Sequence, residues 1–476
     1  MSKIKTKTIV TLGPASNTAS IISDLIDYGM DIARINMSHF TNTDDFENIV
    51  KIIRSESNNK NKHIGILVDL AGPKIRLDLK HIGKSINIIK DDVYSLGFED
   101  TNDIKINTKI SFQNVNLNDS YVKIDDGKIV FKVLDNKDDN LIVKALNDGV
   151  ALDRKGVNFP GVTLNLDSLT KIDKKHLLLA AKNNIDWLAL SFVRESKDIN
   201  PILAVYKKEN IFIPVIAKIE KPEAIENLDS IIDIFSGILI ARGDLGVEMS
   251  LAKLPGLQKL IIEKCRKAKK PVIVATQMLD SMIENSTPTR AEVNDVANAV
   301  YESADAVMLS GETAVGKYPI ETIQIMQEIL LNTEKEIENK NISNNISIEI
   351  DRDTRSAIGE SVKLISKHLN VDAIVVMTES GNTAIIVSHY RPRNNIFALT
   401  PSESICRKLS LVWGVIPILT KKFESTDEMI EESEKILIKR GLVESGDTFV
   451  LTAGVPIGVS GTTNMLKIHK IATTLD

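Results

Sequence analysis

Lys218 and Glu220 stand two residues apart in Ala217-Lys218-Ile219-Glu220. If that run is a strand, both side chains point to one side of it. A buried ammonium is costly unless it is paired or used. Two readings stay open here: a structural salt bridge within the pair, or a cation and a carboxylate placed for chemistry. Asp244, in Arg242-Gly243-Asp244-Leu245-Gly246, follows the next apolar run and offers a second carboxylate. Two carboxylates beside phosphate oxygens are the usual protein share of a Mg²⁺ site. Gly243-Asp244-Leu245-Gly246 opens a short helix-like stretch whose N–H groups can approach an anion. Arg34, in Ala33-Arg34-Ile35-Asn36-Met37-Ser38-His39, adds a planar anion clamp. Thr276 follows a further apolar run; its hydroxyl serves equally as a helix cap or as a relay for protons through water. His39 fits a ligand contact better than an acid–base role. Together these types suggest a small, multiply anionic, phosphorylated substrate bound with a divalent metal.

Elements that could place these residues on one rim are legible as apolar runs. Residues 8–12, 32–36, 64–69, 187–191, 214–218, 237–241, 271–275 and 306–309 read as strands, separated by helix-like segments such as 19–28, 174–183 and 257–267. Alternation of this kind implies parallel βαβ units, and continuous Val/Ile/Leu runs imply strands buried on both faces. The expected fold is α/β: a (β/α)8 TIM barrel, with an open doubly wound sheet as the alternative. Arg34, Asn36, Ser38 and His39, Asp69, Ser191, Lys218 and Glu220, Asp244, Thr276, and Ser310 with Glu312 all lie at or just after the C-terminal ends of such strands, where barrel enzymes carry their active sites.

One connection breaks the rhythm. Residues 71–154 alternate apolar and polar at 86–89, 121–124 and 129–133, with Asp125-Asp126-Gly127 as turn material, and predict an inserted all-β lid domain. The barrel is then residues 1–70 and 155–340. A polar stretch at 339–348 reads as a linker, and 341–476 reads as a C-terminal α/β domain that opens with a helix over 357–369 and a strand over 373–377.

Composition limits what else the chain does. Its 476 residues suit about three domains, and 43% apolar with 26% charged residues is globular composition. Only two cysteines, Cys265 and Cys406, exclude a disulfide framework or a cysteine-rich zinc site. A net charge of −5 argues against nucleic-acid or membrane partners. The opening Met1-Ser2-Lys3-Ile4-Lys5-Thr6-Lys7 has no apolar signal core, so a cytoplasmic protein is expected.

In chain order, Thr8-Ile9-Val10-Thr11-Leu12-Gly13-Pro14-Ala15-Ser16, the Ala33–His39 motif, Gly72-Pro73-Lys74-Ile75-Arg76, Lys155-Gly156-Val157-Asn158-Phe159-Pro160-Gly161, the stretch around Lys218, Ala275-Thr276-Gln277-Met278-Leu279, Pro288-Thr289-Arg290-Ala291-Glu292 and Met308-Leu309-Ser310-Gly311-Glu312-Thr313-Ala314 resemble the motifs of the pyruvate kinase family. The resemblance covers nearly the whole chain. It implies phosphoryl transfer from phosphoenolpyruvate to ADP, giving pyruvate and ATP at the last step of glycolysis. It implies that Arg34 and Lys218 hold the phosphoryl group and that Glu220 and Asp244 bind Mg²⁺. Gly243, Asp244 and Thr276 would hold the substrate carboxylate, with Thr276 also on the proton path. Asn36, His39, Arg76 and Lys155 would meet the nucleotide. A homotetramer is implied too. A metal-dependent barrel lyase or aldolase acting on a pyruvate enolate is the alternative, and it has no use for the lid at 71–154.

Two departures from the family pattern matter. Asn36, Ser38, Asp69 and the Leu70 carbonyl would form the family's K⁺ cage. Here Lys74 replaces the Glu that K⁺-dependent members carry, and Leu70 replaces a hydroxyl residue. A Lys ammonium near Asp69 would supply the charge of K⁺, so K⁺ is expected to be dispensable. Thr378, Ser380, Gly381, Asn382 and Thr383 resemble the family's effector phosphate loop, with a sugar phosphate or a nucleotide as the ligand class. Glu379, and the absence of Trp and Arg from the loop at 452–461, argue against a bisphosphate.

Overall fold

The computed structural model describes residues 4–40, 42–112, 120–137, 139–162, 164, 166–340, 353–456 and 463–472. Eight parallel strands close into a barrel: β1 (Lys7–Leu12), β2 (Ile32–Asn36), β3 (Gly65–Asp69), β4 (Trp187–Leu190), β5 (Val215–Ile219), β6 (Gly237–Ala241), β7 (Val272–Ala275) and β8 (Ala306–Leu309). β8 pairs back onto β1, so no open edge remains, and the doubly wound alternative is excluded.

Strand alternation divides these residues into two sets. Ile9, Ile32, Leu67, Ala189, Ile216, Leu239 and Ile273 fill the lumen, while Val10, Ala33, Ile66, Leu188, Ala217 and Ile238 pack against the surrounding helices. Continuing the lumen set two residues further along each strand reaches Arg34, Asp69, Ser191 and Lys218. The strand pattern that builds the core therefore also aims the polar groups at one mouth. Leu411 of the C-terminal domain joins the lumen cluster.

Helix starts are set by polar caps. Thr170 and Asp173 form a capping box before Lys171–Lys182, and Thr289 and Glu292 do the same for Arg290–Tyr301. The Pro288–Glu292 motif thus has a local folding role, and Glu292 also accepts from the backbone and hydroxyl of Ser281.

The inserted region folds around its own core, with Phe112, Phe131 and Phe159 at its centre. A six-stranded sheet and a two-stranded sheet make up the region. The turn between strands Tyr121–Ile124 and Ile129–Lys137 places Asp125, Asp126 and Gly127 at φ +52°, +56° and +87°, conformations that Asp and Gly tolerate. The larger sheet runs past residue 154, because strand Val157–Asn158 pairs with Tyr121–Ile124 on the way back to the barrel. The C-terminal domain is a five-stranded sheet, parallel except for its last strand Thr463–Lys470, with apolar clusters on both faces. The linker expected at 339–348 lies outside the described residues from 341 onward.

Candidate active site

One network occupies the mouth of the barrel. Arg34 donates to Asp69 Oδ2 from Nε at 2.9 Å and from Nη2 at 2.6 Å, and to Thr11 Oγ1 from Nη1 at 2.9 Å. Lys218 Nζ lies 2.8 Å from Glu220 Oε1, 3.3 Å from Asp69 Oδ1 and 2.8 Å from Ser191 Oγ. Ser191 in turn donates to the Leu70 carbonyl at 2.7 Å. Glu220 Oε2 accepts from the Phe192 backbone N–H at 2.7 Å. All four charged side chains are buried.

Electrostatics sort the members. Burial alone would raise the Asp69 carboxyl, but the Lys218 and Arg34 charges outweigh it and hold Asp69 below the usual carboxylate range. Burial likewise works against a charged Lys218, and Asp69 and Glu220 overcome it, keeping the ammonium protonated. For Glu220 burial wins over the Lys218 attraction, and the nearby Asp244 charge pushes the same way, so its carboxyl is raised. A carboxyl raised by burial and by a second carboxylate is one that a divalent cation would stabilise as the anion. Glu220, just past β5, and Asp244, on the helix that follows the adjacent β6, thus fit the protein's share of a Mg²⁺ site, which waters and substrate oxygens would complete.

Asp244 rides on the short helix Arg242–Glu248. The Gly243 backbone N–H donates to Thr276 Oγ1 at 2.8 Å, and that hydroxyl donates to the Ala275 carbonyl at 2.6 Å. Thr276 and Gln277 both have positive φ, +68° and +53°, which costs energy in residues with a Cβ. Arg242 holds this turn: it donates to the carbonyls of Ala275, Thr276 and Gln277 and pairs with Asp295 at 2.6 Å. The sequence placed Arg242 after its strand without giving it a role. Its only signal was an Arg directly after a strand and before a helix-like stretch.

Lys74 corrects an expectation. Its ammonium does not reach Asp69; it lies 3.5 Å from Asp244 Oδ1. Asp69 already accepts from Arg34 and faces Lys218, and the chain turns at Gly72 with φ +66° before Lys74. The Lys74 stem then passes over Gly156, where an added Cβ would sit 3.3 Å from Lys74 Cε. Among the other proposed cage members, Asn36 Oδ1 caps the turn Met37–His39 by accepting from the Ser38 N–H at 3.0 Å, and the Leu70 carbonyl is taken by Ser191.

The proposed nucleotide residues divide. His39 sits at the rim near Arg34 and Arg76; partial desolvation first, then those two charges, hold it below the usual histidine range and so neutral. Arg76 donates to the Arg154 carbonyl at 2.9 Å, clasping the two crossings of the lid. Lys155 is not brought to the rim here: it pairs with Asp125 of the lid turn at 2.8 Å. Lid and barrel also meet through Glu248, which accepts from Lys221 Nζ at 2.6 Å and from Asn158 Nδ2 at 2.8 Å.

In the C-terminal domain, Thr378 Oγ1 accepts from the Gly381 N–H at 2.8 Å, and Gly381 adopts φ +89° at the start of helix Asn382–His389. Thr383 and Thr463 share a hydroxyl hydrogen bond of 2.7 Å. Ser380 and Asn382 lie in the same loop, and Glu379 is 3.8 Å from Lys422. Of the second loop, residues 457–461 lie outside the described residues.

Comparison with known proteins agrees with this arrangement. The family model "Pyruvate kinase, barrel domain" matches residues 3–323, and "Pyruvate kinase, alpha/beta domain" matches 356–469. The chain is similar to the pyruvate kinase of Sporosarcina psychrophila, 40% identical over 99% of this chain and 81% of that protein. It is also similar to that of Staphylococcus aureus strain MRSA252, 40% identical over 98% and 80%. A crystal structure of a pyruvate kinase from Cryptosporidium parvum superposes with a TM-score of 0.91 at 32% identity, covering 98% of this chain and 96% of that one. With a closed barrel, an inserted β domain and a C-terminal α/β domain matched along nearly its whole length, the chain belongs to the pyruvate kinase family.

Proposed function

We propose that the barrel mouth transfers the phosphoryl group of phosphoenolpyruvate to ADP through Arg34, Lys218, Glu220, Asp244 and Thr276. The buried Arg34–Asp69–Lys218–Glu220 network carries this reading. It holds two cations at a site where a transferring phosphoryl group gathers negative charge, and it fixes them before substrate arrives. Asp69 and Ser191 serve as positioning residues for those cations. Glu220 and Asp244 would hold Mg²⁺, which when bound supplies charge neutralisation between substrate oxygens. Backbone N–H groups at Gly243 and Asp244, with the Thr276 hydroxyl, would take the substrate carboxylate. In this reading Thr276 also lies on the proton path to the enolate carbon. Asn36, neutral His39, Arg76 and Lys155 would meet the nucleotide, Lys155 after leaving Asp125 as the lid closes and excludes water. Pyruvate production measured from phosphoenolpyruvate, with ADP and Mg²⁺ omitted in turn, tests the reading. Dependence on both supports it, and pyruvate release without ADP contradicts it.

Arg242 is expected to act through the Thr276 turn. Arg242→Leu removes donors to three carbonyls that hold two positive-φ residues in place. Mispositioning of this order costs about 10²-fold in rate. The expected outcome is a fall in kcat of that size with a smaller change in the KM for ADP. An unchanged kcat in a folded variant would show that the turn holds its shape unaided.

Lys74 is proposed to replace the monovalent cation at the rim, now through Asp244. Its compact ammonium places one fixed positive charge beside the metal carboxylates. Near-full activity is expected in buffer free of K⁺ and NH₄⁺. Lys74→Glu should create a K⁺ requirement. Activation of the unaltered enzyme by about tenfold or more with KCl, against a tetraalkylammonium salt at equal ionic strength, amounts to about 1.4 kcal/mol and would refute the substitution.

A homotetramer, a phosphorylated effector at the Thr378–Thr383 loop and a cytoplasmic location belong to the same reading and rest on the family resemblance. No described helix is long and apolar enough to cross a membrane.

A further inference from the structure

Away from the rim, positive charge gathers where the far end of the barrel meets the C-terminal domain. Helix Leu254–Lys267 brings Arg266 to this junction near its end, Lys269 and Lys270 follow in the turn into β7, Asp305 precedes β8, and Arg391 follows helix Asn382–His389. These residues line a small recess that is open to solvent. Four cations and one carboxylate, Asp305, line it; Asp353 acts on Lys269 and Asp233 on Lys270 from outside it, and the lining carboxylate is already committed. Asp305 Oδ1 accepts from Arg391 Nη2 at 2.9 Å, and Oδ2 accepts from the Val272 N–H at 2.9 Å. Lys270 Nζ is spent on the Phe235 carbonyl at 2.7 Å, and Lys269 Nζ donates to Ser356 Oγ at 2.6 Å.

The two guanidinium groups are left with donors unused. Arg266 is only 5% exposed, and its Nη2 makes a long 3.3 Å hydrogen bond to the His389 carbonyl. Its Nε–H meets no acceptor among the described residues, and the Nε–H of Arg391 is in the same state. The Arg391 guanidinium carbon lies over the Trp413 ring, 4.4 Å from its centroid. A buried charged donor without an acceptor is unfavourable, and a guanidinium edge is shaped for oxyanions. Burial first, then the Arg391 charge, pushes Arg266 down to about 9, with Asp305 opposing. Nearby Lys363 is lowered by burial and by Arg266 itself.

We propose that this junction binds a small oxyanion, either free phosphate or the phosphate of a small phosphoester, held by Arg266 and Arg391 with Lys269 and Lys270 at its margin. The ligand would join two domains. From the same junction β7 and β8 run to Thr276 and Ser310 at the rim, and helix Asn382–His389 runs back to the Thr378–Thr383 loop.

Calorimetric titration of the full chain at constant ionic strength tests this, with inorganic phosphate in one arm and glycerol 2-phosphate in the other. Arg266→Met should weaken one phosphate-binding step at least tenfold while leaving the KM for phosphoenolpyruvate unchanged, and Thr383→Ala should leave that step intact. Equal uptake of both probes marks a free-anion site, and tighter uptake of the ester marks a phosphorylated metabolite. If Arg266→Met does not fold, Lys269→Ala reads the same step and should weaken it severalfold. Phosphate binding that is unchanged in the folded Arg266 variant, or that is lost equally in Thr383→Ala, would overturn the proposal.

Discussion

Lys218→Met should lower turnover by about 10²–10³-fold or more while phosphoenolpyruvate still binds, because the lost group is a preorganised cation aimed at developing charge. Arg34 remains to hold the ground-state phosphoryl group, so the loss should fall on kcat rather than on substrate affinity. Removing one partner of a buried ion pair costs about 3–5 kcal/mol when the other stays charged. Here that cost is moderated. Asp69 keeps both contacts with Arg34, and Glu220, whose carboxyl is already raised by burial, can take up a proton. A folded, thermally cooperative variant is therefore expected. Turnover like that of the unaltered enzyme in such a variant would remove Lys218 from the mechanism.

Glu220→Gln or Asp244→Asn should sharply raise the Mg²⁺ concentration needed for half-maximal activity, since each change removes a hard anionic ligand. The two variants should differ in a second respect. Asp244→Asn also removes the counter-charge of Lys74, while Glu220→Gln leaves Lys218 paired with Asp69. Mn²⁺ should restore part of the activity in both, being a divalent ion of similar oxygen preference. An unchanged Mg²⁺ titration in both variants would refute the metal assignment.

The strands were the most legible part of the chain. Gly237–Ala241 and Ala306–Leu309 begin and end where their apolar runs do, because strands covered on both faces leave no polar position inside the run, and Ile32–Asn36 keeps its expected bounds even with Arg34 inside it. One helix start was read correctly, at Ala19, and others were read late. Lys171–Lys182 begins three residues before the expected 174, since its capping box is polar, and Leu254–Lys267 begins before 257 with Pro255 in its first turn. The rim residues were legible as well, because the two-residue period that fills the lumen with Ile32, Leu67 and Ile216 also fixes the direction of Arg34, Asp69 and Lys218.

What the sequence could not show depends on contacts between distant segments. Ser191, the link between Lys218 and the Leu70 carbonyl, looks like any strand-ending hydroxyl until three strands are assembled around it. The grip of Arg242 on the Thr276 turn requires knowing that Thr276 and Gln277 adopt positive φ. The partner of Lys74 follows from how the lid returns over Gly156, and no local pattern encodes that path.

Phosphorus NMR of phosphoenolpyruvate mixed with ADP, Mg²⁺ and the enzyme in K⁺-free buffer observes the transferred group itself. The ATP resonances should grow as that of phosphoenolpyruvate declines, with no orthophosphate, and should nearly vanish with Lys218→Met. Loss of phosphoenolpyruvate to orthophosphate without ATP would contradict phosphoryl transfer at this barrel mouth.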